Sequence, residues 1–206
     1  FRIIEDASNA IGGCYQDEPI GNCRHSDITV FSFHPVKIIT TAEGGMALTH
    51  DIELAERMQR YRSHGITTNR ALMHSRPDDE IWNYQQLELG FNYRMTDLQA
   101  ALGLSQLKKI DSFKARRRLI VEYYNDRLSE IDELILPFEC EVVDSNFHIY
   151  VLQIKDGARF DRYDFFSALQ KKNYQPMVHY LPVHLLSYYS NRYGYKLGDF
   201  PVAEKY

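Results

Sequence analysis

Cysteine and long apolar runs are both scarce in this chain of 206 residues. The three cysteines (Cys14, Cys23 and Cys140) are odd in number and lack Cys-x-x-Cys spacing. This argues against a disulfide framework and a zinc site, and indicates a reducing compartment. No apolar stretch approaches the roughly 20 residues of a membrane-spanning helix, and no segment resembles a signal peptide. We therefore expect a cytoplasmic protein with no membrane partner.

Positive charge is limited as well, and the formal net charge is −4. Nucleic-acid binding needs a clustered basic surface, and the one basic run, Arg116–Arg118, is expected to be a solvated helix face. No Gly-x-Gly-x-x-Gly motif or P-loop is present, and histidine–carboxylate metal spacing is absent. The sequence therefore predicts no nucleic-acid partner and no metal.

Apolar runs and turn residues predict alternating strands and helices. We expect strands at residues 2–5, 28–33, 46–49 and 147–154. We expect helices at residues 52–61, from 97 past 110 to about 131, and from 160 to about 172. Asp51 is the predicted N-cap of the first helix, and Thr96–Gln99 is a capping box that opens the second. The second helix has an apolar face, which comprises Leu98, Ala101, Leu102 and Leu107. Residues 62–90 are predicted to be irregular, as functional or interface segments often are.

Lys37 follows a β-branched and aromatic segment, Thr29–Val36. Burial at such a place can lower the pKa of a lysine and make it a nucleophile that forms a Schiff base. Asp6 ends the strand predicted upstream. A lysine and a carboxylate at the ends of neighbouring strands suit pyridoxal 5'-phosphate, because the lysine binds the aldehyde and the carboxylate keeps the pyridine nitrogen protonated. The pair predicts this cofactor.

Five motifs occur in an order that matches a known family. They are Glu5-Asp6-Ala7-Ser8-Asn9-Ala10, Phe31-Ser32-Phe33-His34-Pro35-Val36-Lys37, Thr41-Ala42-Glu43-Gly44-Gly45, Arg62-Ser63-His64-Gly65 and Gly90-Phe91-Asn92-Tyr93-Arg94-Met95-Thr96-Asp97. With these motifs the chain resembles the DegT/DnrJ/EryC1/StrS sugar aminotransferases, which are pyridoxal-phosphate enzymes of fold type I that aminate nucleotide-linked keto sugars. The segment His179–His184 adds to the likeness.

The resemblance implies an α/β fold in two parts. Residues 1–112 would be the C-terminal part of a large, three-layer, aspartate aminotransferase-like domain that binds the cofactor. Residues 113–206 would be a smaller α/β C-terminal domain, truncated at its end. The family's first phosphate-binding turn lies upstream of its aspartate, before the first residue here, so we expect this fragment alone to be inactive.

The resemblance also assigns roles to individual residues. Lys37 matches the catalytic Schiff-base lysine, and Asp6 matches the partner of the pyridine nitrogen. Asn9 stands where the family usually has Gln or His beside the ring oxygen of the cofactor. Ser32 matches a phosphate-binding serine, and Asn92 matches an asparagine that reaches the phosphate of the other subunit's cofactor. Asn9, Ser32 and Asn92 also have a simpler interpretation as turn, backbone-bonded or capping residues.

Four further residues are weaker candidates. Glu5 competes with Asp6 for the ring nitrogen. His34, His179 and His184 are candidate substrate contacts, although a lone histidine such as His34 is more often a packed, hydrogen-bonded residue.

The activity that the resemblance implies is transfer of an amino group from glutamate to a nucleotide-linked 4-keto-6-deoxy sugar through a Lys37 Schiff base. It implies a role in polysaccharide biosynthesis and a homodimer with shared active sites. Residues 40–45 and 178–180 favour a UDP-linked N-acetylhexosamine as substrate. Two alternatives stay open: a sugar dehydratase that uses pyridoxal or pyridoxamine phosphate, which typically has histidine in place of the lysine, and a noncatalytic relative that serves assembly or regulation.

Overall fold

The computed structural model describes residues 1–74 and 80–206. Contacts divide the chain into two compact units. The first comprises Phe1–Ile120 and Glu139–His148, and the second comprises Val121–Phe138 and Ile149–Tyr206. The domain boundary expected at residues 112–113 stays a prediction about the whole protein.

The strands are short. They are β1 (Ile4–Asp6), β2 (Cys14–Tyr15), β3 (Glu18–Pro19), β4 (Ile28–Ser32), β5 (Gly45–Leu48), β6 (Ile66–Thr67), β7 (Gln85–Gln86), β8 (Leu134–Ile135), β9 (Val143–Asp144) and β10 (Gln153–Ile154). In the first unit they form sheets in the orders β1-β4-β5, β3-β2-β9 and β6-β7, and β8 pairs with β10 in the second. The strands expected at 2–5, 28–33 and 46–49 are thus confirmed within two residues.

Strand β4 lies at the centre of the sheet that carries the candidate site. It runs parallel to β1, with Asp6 opposite Val30, and antiparallel to β5. Thr29 and Phe31 are buried, and the other three residues of β4 are half-buried. Because β1 and β4 run in the same direction, their carboxyl ends lie at the same edge of the sheet, which brings Asp6 and the segment after Ser32 together.

The helices are α1 (Ile52–Arg62), α2 (Asp97–Leu107), α3 (Ile110–Leu128), α4 (Arg162–Lys171), α5 (Ser187–Tyr193) and α6 (Pro201–Lys205). Asp51 caps α1 through its side chain, and Thr96 and Gln99 form the expected capping box of α2. The long helical region contains two helices, α2 and α3. Residues 62–90, expected to be irregular, include β6, β7 and a 3-10 turn at Arg70–Leu72, and residues 75–79 lie outside the described part.

Helix α2 presents its apolar face to the outside. Leu98 is 86% exposed, and Ala101, Leu102 and Leu107 are exposed as well. Its opposite face packs on the loop after Lys37, where Gln106 Oε1 accepts a hydrogen bond from the Thr40 amide at 2.9 Å. Polar side chains therefore fix α2 to this loop.

The strand expected at 147–154 is wrong over most of its length, because only Gln153–Ile154 is extended and paired. Phe147 has a positive φ of 46°, a left-handed conformation that interrupts a strand. The helix expected from residue 160 is confirmed as α4, which Asp161 caps.

The core of the first unit lies directly beneath the candidate site. It is built from the buried residues Ala7, Phe31, Phe33, Ile38 and Ile39. These five residues come from the ends of β1 and β4 and from the loop that follows β4. Burial of each large apolar side chain contributes about 1.5–3 kcal/mol, so the backbone at this edge of the sheet is well anchored.

Candidate active site

Lys37 lies in a loop that buried residues hold on both sides. Phe33 precedes it and Ile38 and Ile39 follow it, and each of these three is at most 6% exposed. The Thr41 amide donates to the Phe33 carbonyl at 3.0 Å and closes the loop. Lys37 itself is half-buried, so its amine has a defined position while its end can still meet a ligand.

The amine of Lys37 contacts a second candidate residue. Its Nζ donates to Asn9 Oδ1 at 2.5 Å. Asn9 lies three residues beyond the end of β1, so this bond joins the segments that follow two parallel neighbouring strands. The structure thereby brings together two of the residues that the sequence selected.

Asp6 is the carboxylate of this group. Its Oδ1 accepts from the Ser8 hydroxyl at 2.5 Å and from the Ser8 amide at 3.0 Å. These two hydrogen bonds, and to a lesser degree the positive charge of Lys37, lower the pKa of Asp6. Hydrogen bonds to a carboxylate favour its charged form, so Asp6 is ionised at neutral pH.

Glu5, the competing carboxylate, has other partners. Its Oε2 accepts from the Thr29 hydroxyl at 2.8 Å and from the Ser26 hydroxyl at 3.3 Å. Thr29 is completely buried in β4. This arrangement favours Asp6 over Glu5 as the carboxylate available to a ligand.

Asn146 is a residue of this site that the sequence did not reveal. It is only 4% exposed, and its Nδ2 donates to the Asn9 and Ile11 carbonyls at 2.8 Å each. With Asp6, Ser8 and Asn9 it lines an open cavity of about 420 Å³. Asn146 is 137 positions away from Asn9 in the sequence. No local pattern connects two residues at this separation, so only the folded structure could identify Asn146 as part of the site.

Ser32 and His34 lie on the same loop as Lys37. Ser32 ends β4, and its Oγ accepts from the His34 amide at 3.4 Å. His34 is exposed, and its Nδ1 accepts from the Val36 amide at 3.4 Å. Ser32 therefore shares the edge of the sheet with Asp6, and the roles of Ser32 and His34 toward ligands stay predictions.

Asn92 lies in a different loop of the first unit. It is exposed, it pairs with Ser63 in an isolated bridge, and its Oδ1 accepts from Arg94 at 3.3 Å. Within the described ranges, no hydrogen bond joins it to Asp6, Asn9 or Lys37. Its exposure agrees with a residue that reaches another subunit, and that role stays a prediction.

His179 and His184 belong to the second unit. His184 is buried, and its Nε2 lies 2.7 Å from Glu204 Oε1, with the Phe200 ring at 4.7 Å. His179 is half-buried, and its ring centre lies 4.3 Å from that of Tyr180 with the two rings tilted by 33°. His184 thus has a local packing role, and a contact of either histidine with substrate stays a prediction.

Comparison with known proteins identifies the family of this chain. The model of the DegT/DnrJ/EryC1/StrS aminotransferase family matches residues 1–206. The chain belongs to this family. The group formed by Asp6, Asn9 and Lys37 fits the family's cofactor, pyridoxal phosphate, because it offers an amine to an aldehyde and an ionised carboxylate to a ring nitrogen.

Two named relatives are similar over more than nine-tenths of the chain. The spore coat polysaccharide biosynthesis protein SpsC of Bacillus subtilis is 37% identical over 99% of the chain and 52% of its own length. The UDP-4-amino-4,6-dideoxy-N-acetyl-beta-L-altrosamine transaminase of Campylobacter jejuni is 32% identical over 93% of the chain and 48% of its length. The chain therefore spans about half the length of the curated relatives it matches.

A solved structure confirms the fold class. The pyridoxal-phosphate form of the putative sugar aminotransferase Spr1654 from Streptococcus pneumoniae is 30% identical and superimposes with a TM-score of 0.83. The match covers 98% of the present chain and 49% of that structure. The same protein has also been solved in a pyridoxamine-phosphate form. The expected α/β fold of a fold-type I aminotransferase is thus confirmed.

Neither a membrane-spanning helix nor a metal-binding cluster occurs in the part of the chain that the structure describes. Among residues 1–74 and 80–206, no helix combines the length and apolarity that crossing a membrane requires. The same residues contain no group of three or more His, Cys, Asp and Glu side chains that could hold a metal ion.

Proposed function

We propose that the whole protein is a pyridoxal-phosphate-dependent aminotransferase. The present chain spans about half the length of its curated relatives. The whole protein moves an amino group from glutamate to a nucleotide-linked 4-keto-6-deoxy sugar for polysaccharide biosynthesis. The observation that carries this proposal is the Lys37 amine, which is held by Asn9 beside the ionised Asp6. The names of the Bacillus and Campylobacter relatives support a sugar substrate.

Each residue of the group has a chemical task in this proposal. Bound pyridoxal phosphate supplies an electron sink that stabilises negative charge on the substrate carbon. Lys37 would hold the aldehyde end of the cofactor, and its Nζ, when free, would act as the base that takes a proton from the substrate carbon. Asp6 would keep the ring nitrogen protonated through a charge-assisted hydrogen bond. Asn9 orients the amine of Lys37.

Residues at the edge of the site would hold the remaining parts of the ligands. The Ser32 hydroxyl can donate to a phosphate oxygen, and it ends the strand next to β1. Asn92 would donate to the phosphate bound by the partner copy, so that the active enzyme is a homodimer. We place this homodimer in the cytoplasm. His34, His179 and His184 are the candidates for sugar-nucleotide contacts. UDP is the proposed nucleotide because the Campylobacter relative is named for a UDP-sugar.

Reductive labelling of the full-length protein tests the proposal. The protein is incubated with pyridoxal phosphate, reduced with borohydride and digested, and the modified peptide is mapped by mass spectrometry. We expect the label on Lys37, and Lys37→Ala should lose both label and product. Lys171→Ala, at an exposed position on α4, is the matched control and should keep both.

The substrate is tested with the same full-length protein. A panel of UDP- and dTDP-linked keto sugars is incubated with glutamate or glutamine, and the products are identified by mass spectrometry. An amino sugar formed with glutamate supports the proposal. A deoxygenated product without nitrogen would instead indicate the dehydratase, and an intact dimer without label or product would indicate the noncatalytic relative.

A further inference from the structure

Asn146 is a buried polar residue that is hydrogen-bonded to Asn9, the residue that binds the Lys37 amine. It follows β9, and both polar atoms of its side chain have partners. Its Nδ2 donates to the carbonyls of Asn9 and Ile11 at 2.8 Å, and its Oδ1 accepts from the His148 amide at 3.0 Å. A buried amide that bridges two carbonyls fixes their relative position, because leaving either one unpaired in the interior is costly.

This bridge acts on the residue that holds the reactive amine. The backbone carbonyl of Asn9 accepts a hydrogen bond from Asn146, and its side-chain carbonyl accepts one from Lys37. Asn9 is itself exposed, so its side chain has no tight packing to set its direction. The hydrogen bond from Asn146 holds the backbone of Asn9, from which the side chain extends to Lys37.

The segment that carries Asn146 is held in turn by an ion-pair network. Arg118 on α3 donates to both oxygens of Glu139, at 2.6 and 3.1 Å, and to Asp144 Oδ1 at 2.7 Å. Glu139 also accepts from the Ser145 amide at 2.7 Å, which is the residue before Asn146. Residues 139–146 are thus fixed against α3 before they meet the site.

We propose that Asn146 is a positioning residue of the Lys37 site, which acts through Asn9 and sets the orientation and reactivity of the Lys37 amine. The proposal rests on the function proposed above for its catalytic meaning. It assigns Asn146 no contact with substrate or cofactor. Its role is to hold the acceptor of Lys37 in place.

The reactivity of Lys37 in the cofactor-free, full-length protein measures this effect directly. The rate of acetylation at Lys37 is followed by peptide mass spectrometry over a range of pH in the original protein, in Asn146→Ala and in Asn146→Asp. The aspartate keeps the shape of the side chain but, when ionised, donates no hydrogen bond. Since loss of one hydrogen bond to the amine corresponds to about a two- to tenfold change, we expect acetylation to become faster by this factor in both variants.

A double variant separates positioning from a general loss of structure. In an Asn9→Leu background the acceptor of Lys37 is already gone, so adding Asn146→Ala should not raise the rate further. Thr67→Val is the matched control, because Thr67 is also buried and its hydroxyl accepts from the Asn69 amide at 3.1 Å. It should leave the reactivity of Lys37 unchanged even if its melting temperature falls.

The outcomes decide the proposal without depending on activity. An unchanged rate in either folded variant at residue 146, or an equal increase in the Asn9→Leu background, would overturn it. Failure of the borohydride label to reach Lys37 would overturn the proposed function and leave the acetylation result standing. Absorbance spectra of the protein with bound pyridoxal phosphate give a second measurement. The pH at the midpoint of the absorbance change should shift in Asn146→Ala and stay unchanged in Thr67→Val.

Discussion

The amine of Lys37 and the side-chain carbonyl of Asn9 are joined by a 2.5 Å hydrogen bond across 28 positions of the chain. Each residue lies just beyond the carboxyl end of one of two parallel strands, β1 and β4. Their contact therefore follows from the sheet topology and from the buried residues that anchor both segments. It also selects Asn9 as the residue whose replacement should reveal most about the amine.

Replacement of Asn9 should weaken the enzyme without removing its lysine. Asn9→Leu keeps the size of the side chain but removes the acceptor, and we expect kcat and cofactor affinity to fall about tenfold. Asn9→Gln retains the amide that the family usually has here, with one more methylene, and should lose less. Steady-state kinetics and cofactor titration of the full-length protein measure both. Equal losses in the two variants would mean that the amide has no role.

Ser8 should control the acid side of the pH profile. Its hydroxyl and its amide both donate to Asp6 and lower the pKa of that carboxyl, the hydroxyl contributing most. In Ser8→Ala the pKa of Asp6 should rise toward its ordinary value, so the carboxylate is protonated at a higher pH. We expect the acid limb of kcat/KM to move to higher pH while activity near neutral pH is retained. Ser8→Thr keeps the hydroxyl, and an identical shift in that variant would contradict the explanation.

The main features of the site were predictable because they depend on local pattern and topology. Asp6 ends one strand and Lys37 follows the parallel neighbouring strand, so both lie at one edge of the sheet, and the motif order shared with the family predicts which residues act on ligands. Asp51 and Thr96 were recognisable as caps because capping depends on residues only a few positions apart. The same local rules could not indicate what lies against each element.

Helix α2 illustrates that limit. Its apolar residues were evident in the sequence. The side of the helix that packs on the loop after Lys37 is formed instead by Gln99, Gly103 and Gln106. A Cβ on Gly103 would lie 2.7 Å from the Thr41 side chain, so only glycine permits this close approach. Periodicity identifies an apolar face, whereas the partner of each face depends on the tertiary structure.

The basic run on α3 is only partly solvated. Arg117 and Arg118 are half-buried, and Arg117 donates to the Phe147 carbonyl at 3.0 Å. Arg118 binds Glu139 and Asp144, which follow more than 20 positions later in the chain. The expectation of a solvated face is therefore wrong for these two residues, since their partners become neighbours only on folding.

Glu139 should make stability depend on acid. Its hydrogen bonds with Arg118 are the main cause that lowers the pKa of Glu139 in the folded protein. A carboxyl whose pKa is lowered by folding stabilises the fold at pH values above its pKa in the unfolded state. This contribution is lost as the pH falls through its pKa in the folded state. Glu139→Gln should therefore lower the free energy of unfolding by about 1–2 kcal/mol at neutral pH, with a smaller difference in acid.

Urea unfolding of the full-length protein at several pH values measures this difference. Glu141→Gln is the matched control, because Glu141 is an exposed neighbour in the same segment. It should change stability little at any pH. A difference between Glu139→Gln and the original protein that stays constant down to acid pH would show that the ion pair is not its source.

Gly65 should tolerate no side chain, because it combines a left-handed backbone with a close contact. Its φ is +70°, and a Cβ there would lie 1.8 Å from the Glu88 carbonyl oxygen. Gly157 has a similar φ of +81°, but within residues 1–74 and 80–206 no atom outside its own chain neighbours lies within 4 Å of such a Cβ. Alanine at either position costs about 1–2 kcal/mol in backbone strain. Gly65→Ala should cost several kcal/mol more, because the backbone at Glu88, just after β7, must move. Thermal unfolding of both variants tests this, and equal losses would show that the contact with Glu88 is relieved without cost.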